Sequence, residues 1–157
     1  MELKVLIIPK GKIFDKNGPE VINRELIGVM YEATSFLERE VKERTPHRTG
    51  HLARTIHAEV IEKGMPLIKG IVGHQAKYGD LVEKGTGIYG PRGQAFEIRP
   101  REKKALFWVG ALHPVAKVVQ KGFPGRFMFR RTLQESWPKI MKMFHDAGFK
   151  IAKGLSE

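Results

Sequence analysis

The 157-residue chain has no cysteine. Disulfides and thiolate metal or redox centres are therefore excluded, and the fold must rest on its core. A chain of this length buries roughly two thirds of its unfolded surface, so a sufficient core is within reach. Long apolar runs are also missing: none approaches the roughly 20 residues that a spanning helix needs. The apolar opening segment, residues 3–8, carries Lys4 and stops at Pro9. It reads as a β-strand rather than the apolar part of a signal peptide. Acidic residues are scarce in one region only. From Arg99 onward 13 Lys/Arg stand against 4 Asp/Glu, so most of the formal net charge of +11 lies there and residues 1–98 are near balance. Such a basic segment suits an acidic partner surface or nucleic acid, and equally an ordinary solvated face. The expectation is one soluble domain, 1–157, made in the cytoplasm.

Asn17, Pro19 and Glu20 supply a capping side chain, a proline for the first helical position and the acid of a capping box. Ile22, Leu26, Val29, Met30, Ala33, Leu37 and Val41 then recur at spacings of three and four. That stripe predicts a long amphipathic helix ending near Arg44, because Pro46 disfavours helix at Thr45. Residues 10–18 before it read as a loop. After Gly50 a single helical turn is expected over 52–56. Strands over 57–61 and 67–73 then form a hairpin through Lys63-Gly64-Met65-Pro66. Residues 85–93 form a glycine-dense loop, predicted to be mobile through Gln94. Two further strands are expected at 95–99 and 106–109. A loop over 120–125 leads to a final helix from about Phe127, with the stripe Phe129, Leu133, Trp137, Ile140 or Met141, Phe144 and Ile151. Pro138 should kink that helix or restart it with Ser136 as cap. The fold class is α+β: an antiparallel sheet of short strands, packed by a long N-terminal helix and a C-terminal helix.

The motifs that invite chemistry lack required parts. Gly85-Thr86-Gly87-Ile88-Tyr89-Gly90 has the spaced glycines of a dinucleotide site, but Pro91-Arg92-Gly93 stands where a helix must open to meet a pyrophosphate. His47 and His51 are four apart and His57 comes after, yet a helix bearing the first two would run through Gly50 just after Pro46, and no carboxylate lies in that stretch. Asp80 and Glu83 are a carboxylate pair without evidence of a cleft between them. Ser35, Ser136 and Ser156 have no nucleophile-elbow context. Basic and aromatic residues alternate from Phe123 to Arg131 and could bind single-stranded nucleic acid, although Phe127 and Phe129 serve equally as core anchors of the last helix. No catalytic, cofactor or metal residue is assigned.

One constellation is more informative. Thr45-Pro46-His47-Arg48-Thr49-Gly50-His51-Leu52-Ala53-Arg54-Thr55-Ile56 closes the long helix, and Tyr78 precedes Glu83-Lys84-Gly85-Thr86. In order and spacing these resemble the Thr-Pro-x-x-Thr-Gly-x-Leu-x-x-Ser-Ile and Tyr…Glu-x-Gly-Thr signatures of the tail-completion or minor tail (neck, head–tail joining) protein family of long-tailed bacteriophages and prophages. Phe127-Met128-Phe129-Arg130 is similar to that family's aromatic start of a final helix. The resemblance runs from about Val21 to the end and leaves 1–18 outside it; Gly79 and the interior Pro138 depart from the pattern. On these positions Pro46 stops the helix, Gly50 reverses the chain, Thr49 caps the turn containing Leu52, and Ile56 points inward. Tyr78 and Val82 are expected to share one buried face, and Gly85 to take a positive φ. Glu83 is expected to hold a backbone amide or an arginine, inside the fold or at a subunit contact.

The resemblance implies a non-enzymatic structural virion protein, acting in tail completion or head–tail joining through ring assembly. Its implied partners are further copies of itself, six per particle, and connector or adaptor and tail-tube proteins, with possible non-specific contact to the DNA passing through and no membrane. Its implied places are the host cytoplasm during assembly and the virion neck or tail afterwards. The candidate interface residues are Gly87, Tyr89 and Arg92 in the glycine loop and Lys121, Arg126, Arg130 and Arg131 on the approach to the last helix. A basic nucleic-acid-binding module is the alternative.

Overall fold

A computed structural model describes residues 3–7, 18–62, 68–102 and 104–154. The Asn17 cap, most of the 10–18 loop and the 63–66 turn lie outside that range. The chain forms two compact units, one comprising the chain up to Lys77 together with everything from Met128, the other Tyr78–Phe127.

The first unit is built on helix α1, Gly18–Arg44. Its predicted stripe is the buried one: Val29, Met30, Ala33, Leu37 and Val41 are all in the core. A one-turn helix α2, His51–Arg54, comes next. Strands β1 (Leu3–Ile7), β2 (Ile56–Glu62) and β3 (Ile68–His74) form an antiparallel sheet in the order β1-β3-β2. The predicted hairpin is the β2–β3 pair, registered from Ile56 opposite His74 to Glu62 opposite Ile68. Along β3 every second residue is buried, Ile68, Gly70 and Val72, which is the alternation of a sheet covered on one face. Helix α1 covers that face. It approaches so closely that a methyl group at Gly70 would lie 2.4 Å from the Thr34 methyl and 2.7 Å from the Met30 sulfur.

A carboxylate fastens the same contact. Glu38 on α1 accepts the Ala58 N–H of β2 at 2.7 Å and the Lys42 ammonium at 2.5 Å. Burial pushes its pKa up, but those two hydrogen bonds, together with the nearby charges of Lys42 and His57, outweigh burial and hold the carboxyl below its usual range.

Helix α4, Met128–Gly154, packs along α1. Arg44 pairs with Glu135 at 2.6 Å, and the Lys139 ammonium sits 4.0 Å from the centre of the Phe36 ring. The helix is continuous through Pro138, so the predicted kink or restart does not divide it. Its buried face is Met128, Phe129, Thr132, Ser136, Ile140 and Ala147. The predicted stripe is therefore corrected at Trp137, which lies about half exposed, and of the alternatives Ile140 and Met141 it is Ile140 that is buried. Side-chain size explains the correction. Two helices pack at interaxial distances of about 8–10 Å, and small Thr, Ser and Ala at the seam permit it where an indole would not.

The second unit holds a short helix α3 (Gly79–Lys84), one 3₁₀ turn (Gly87–Tyr89), and strands β4 (Phe96–Ile98) and β5 (Val118–Gln120) paired antiparallel. The strand expected at 106–109 is thus corrected: β4 pairs with β5 instead. Residues 106–109 have strand-forming side chains, but only Leu106 pairs, in a single bridge to Val115, and the rest sit in an exposed turn. The α+β class is as expected: a long N-terminal helix, small antiparallel sheets and a C-terminal helix.

Candidate functional site

The signature residues of the first unit are architectural. Thr45 is buried and donates its hydroxyl to the Val41 carbonyl at 2.7 Å, ending α1 from within. Pro46 comes next, in an exposed loop. Gly50 reverses the chain at φ +67 and its carbonyl accepts the Arg54 N–H at 3.1 Å. Thr49 is only a marginal cap, its hydroxyl lying 3.4 Å from the His51 N–H. Leu52 and Ile56 are buried as expected. His47, His51 and His57 are all exposed. Among the described residues no group of three or more His, Cys, Asp or Glu is placed to hold a metal ion.

In the second unit the buried face of α3 is Gly79 and Glu83, not Tyr78 and Val82. Tyr78 stands at the N-cap position and is exposed, which corrects the expected pairing by one residue. Glu83 is 1% exposed. Just beyond it the chain enters a backbone seam. The Thr86 N–H donates to the Phe123 carbonyl and the Ile88 N–H to the Lys121 carbonyl, both at 2.9 Å. The Val82 and Glu83 carbonyls accept the N–H groups of Arg126 and Phe127 at 2.9 and 3.0 Å. The Thr86 hydroxyl accepts the Phe123 N–H at 3.2 Å. Residues 82–88 and 121–127 are thereby zipped together, main chain to main chain.

Four glycines, Gly85, Gly87, Gly122 and Gly125, make that contact possible, the closest approaches being at Gly87 and Gly122. A methyl at Gly87 would sit 2.0 Å from the Lys121 carbonyl oxygen, and one at Gly122 would sit 2.1 Å from the Thr86 carbonyl oxygen; both residues also have φ in the left-handed region. Gly85 takes a positive φ of 80, as expected. Phe127, the one non-glycine residue with positive φ among the described residues, ends the seam. The predicted mobile loop is therefore corrected in its first half, 85–90, which is pinned by hydrogen bonds. Residues 91–95 remain exposed.

Beside the seam lies a groove of about 430 Å³, walled by Gly87 and Gly90 and lined by Leu81, Pro91, Arg92 and Phe96. Farther along the same unit the chain turns through Trp108-Val109-Gly110-Ala111. This turn is closed by the Ala111 N–H on the Trp108 carbonyl at 3.0 Å and, behind it, by reciprocal Leu106–Val115 hydrogen bonds of 2.8 and 3.0 Å. It presents apolar side chains outward: Trp108 is 50% exposed, Val109 fully, and Leu112 98%. These side chains form an exposed apolar patch on the second unit. At the strands, Arg99 and Lys117 both pair with exposed Glu97, and these hydrogen bonds hold its carboxyl below the usual range.

The candidate interface residues divide accordingly. Gly87 and Lys121 meet at the seam. Tyr89 and Arg92 are exposed beside them, and Arg126 is exposed at the seam's end. Arg130 and Arg131 are exposed on the first turn of α4, in the other unit. Sequence reading missed the 107–112 turn, whose signal was five apolar residues around Gly110 in a region read as strand.

Residues 14–85 match the family model described as "Bacteriophage HK97-gp10, putative tail-component". The match takes in the Thr-Pro signature and ends at Gly85, and it bears out the resemblance to a phage tail protein family. No curated protein and no solved structure matches the chain.

Proposed function

We propose that this phage tail-component chain is a non-enzymatic structural protein of the tail or neck, acting in tail completion or head–tail joining through ring assembly. The tail-component match over 14–85 carries the reading. The second unit supports it, because a hydrogen-bonded turn there exposes Phe107, Trp108, Val109 and Leu112, a surface suited to protein contact. The whole chain, both units together, is the functional module. Its partners are further copies in a ring, six by the symmetry of phage tails, and the connector and tail-tube subunits on either side. The basic residues set register and encounter rate with those neighbours.

Complementation of a phage lacking the gene tests this. Wild-type protein restores joined, infectious virions, and the triple change Arg126→Glu, Arg130→Glu, Arg131→Glu leaves filled heads and tails apart or tails of faulty length in electron micrographs. Normal virions from the deletion alone would refute the structural role. The nucleic-acid reading is favoured by one observation, the surplus of basic residues after Arg99. It requires DNA affinity that falls steeply with salt.

A further inference from the structure

We infer that the Trp108 turn of one copy docks into the glycine-walled groove of the next copy, and that this is the contact that propagates the ring. The inference rests on the ring reading above and names its contact. A ring built head to tail needs two different, mutually complementary patches on each subunit. The second unit carries such a pair. One is convex: Phe107, Trp108, Val109 and Leu112, held outward on a turn whose backbone is already closed by hydrogen bonds. The other is concave and apolar: the groove of about 430 Å³ between Leu81, Pro91 and Phe96, with Gly87 and Gly90 leaving main chain as its wall. A wall without side chains leaves room for a flat ring, and exposed Arg92 is among the groove's lining, a cation of the kind that stacks on indole faces.

The areas agree with an interface between copies. Large apolar side chains carry about 150–250 Å² each, so four of them at the observed exposures present on the order of 500 Å². One side of a standard interface buries roughly 800 Å². The turn thus supplies the core of such a contact and leaves the remainder to its polar surroundings. Trp108 is half exposed and borders a second apolar hollow with Ile98, Leu106 and Val118, so the freest part of the turn is Val109 and Leu112.

Charge gives the proposal a distinctive signature. Each copy carries a formal +11, so copies repel at a distance while the contact itself is apolar. Added salt screens the repulsion and leaves the apolar contact intact, so self-association strengthens with salt. Docking onto DNA or an anionic lipid surface would weaken instead.

Sedimentation of the full chain, from micromolar to millimolar concentration and from about 50 to 500 mM NaCl, reads this directly. Wild type should oligomerise, more so at the higher salt. A turn variant, Val109→Asp with Leu112→Asp, and a groove variant, Leu81→Asp, should each weaken self-association at least tenfold while keeping wild-type circular dichroism, since all three side chains are half to fully exposed. Mixing the two variants should restore one good contact per pair, the intact turn of one in the intact groove of the other, and stop at a 1:1 dimer. With Trp108 replaced by the photo-cross-linker p-benzoylphenylalanine, cross-links should fall within 81–96 of a second copy. A wild-type chain that stays monomeric at millimolar concentration, a mixture that behaves like either variant alone, or cross-links elsewhere would overturn the inference. So would a blue-shifted Trp108 on vesicles of phosphatidylglycerol with no self-association. In the complementation assay, turn and groove variants that support joined virions would overturn this contact while leaving the structural role in place.

Discussion

Replacing Gly87 by alanine tests whether the seam between 82–88 and 121–127 holds the second unit together. The new methyl would meet the Lys121 carbonyl oxygen at 2.0 Å, so the segments must part until that distance passes 3.0 Å. Parting them breaks the Ile88–Lys121 and Thr86–Phe123 hydrogen bonds, each 2.9 Å long. Each is worth about 1 kcal/mol net, and holding an L-residue in the left-handed region adds about 1–2 kcal/mol. The expected cost is therefore about 3–4 kcal/mol, confined to this unit. Gly93→Ala is the internal control: it has nearly the same φ, +61, but open space around it. It should cost only the conformational part, about 1 kcal/mol. Native-state hydrogen exchange at the Thr86 and Ile88 amides reads the difference. Every 1.4 kcal/mol is a factor of ten, so Gly87→Ala should speed their exchange on the order of a hundredfold, and Gly93→Ala by tenfold or less. Equal effects of the two substitutions would refute the steric argument and leave only backbone conformation.

On α4, Ile140→Ala removes a fully buried side chain and should lower stability by about 2–5 kcal/mol, whereas Trp137→Ala three residues earlier should cost under about 1 kcal/mol; urea unfolding of both reverses that order if the helix is rotated. Glu38→Gln should cost about 1 kcal/mol near neutral pH, because the Lys42 pairing goes while the Ala58 hydrogen bond can survive. Its folded pKa is depressed, so the carboxylate's contribution is fully present above its unfolded pKa of about 4.3 and is lost as pH falls through the lower folded value; wild type and variant should converge in acid, and a difference unchanged by pH would count against the assignment.

How much of the fold was legible in the sequence depended on range. Helix α1 and the β2–β3 hairpin rest on local pattern: a stripe of three and four, a proline stop, alternation around a short turn. All of these could be read directly. On helix α4 the expected stripe holds at Phe129 and Ile140 and fails at Trp137, where Ser136 takes the buried position and the indole lies half exposed. The partner of β4 was missed because Phe107-Trp108-Val109 has high strand propensity while Val118-Val119-Gln120 carries no stronger local sign. The pairing was decided at the seam, which sets Lys121 to Phe123 against Thr86 to Ile88 and so brings β5 beside β4. The Glu-x-Gly-Thr motif was visible as a motif, but half of its physical meaning lies in Gly122, more than thirty residues later.

That arrangement bears on where specificity resides. The seam closes an excursion that leaves at Thr86 and returns at Phe123, and closing a loop costs only about 0.6 kcal/mol more for each doubling of its length. The excursion can therefore change length and sequence at little cost to the seam, provided Gly87 and Gly122 keep their close approach. The family match ends at Gly85, one residue before the excursion begins. Most of the groove lining and the whole turn lie within the excursion, and so do the exposed apolar residues Trp108, Val109 and Leu112. Under the function proposed above, the helix-and-sheet unit and the first half of the seam would serve as scaffold, and the excursion would carry the contact surface. Grafting a different excursion between Ile88 and Lys121, with Gly87 and Gly122 kept, should leave α1, α4 and the three-stranded sheet folded and change only which copies associate. Loss of protection in β3 on such a graft would show instead that the excursion is part of the scaffold.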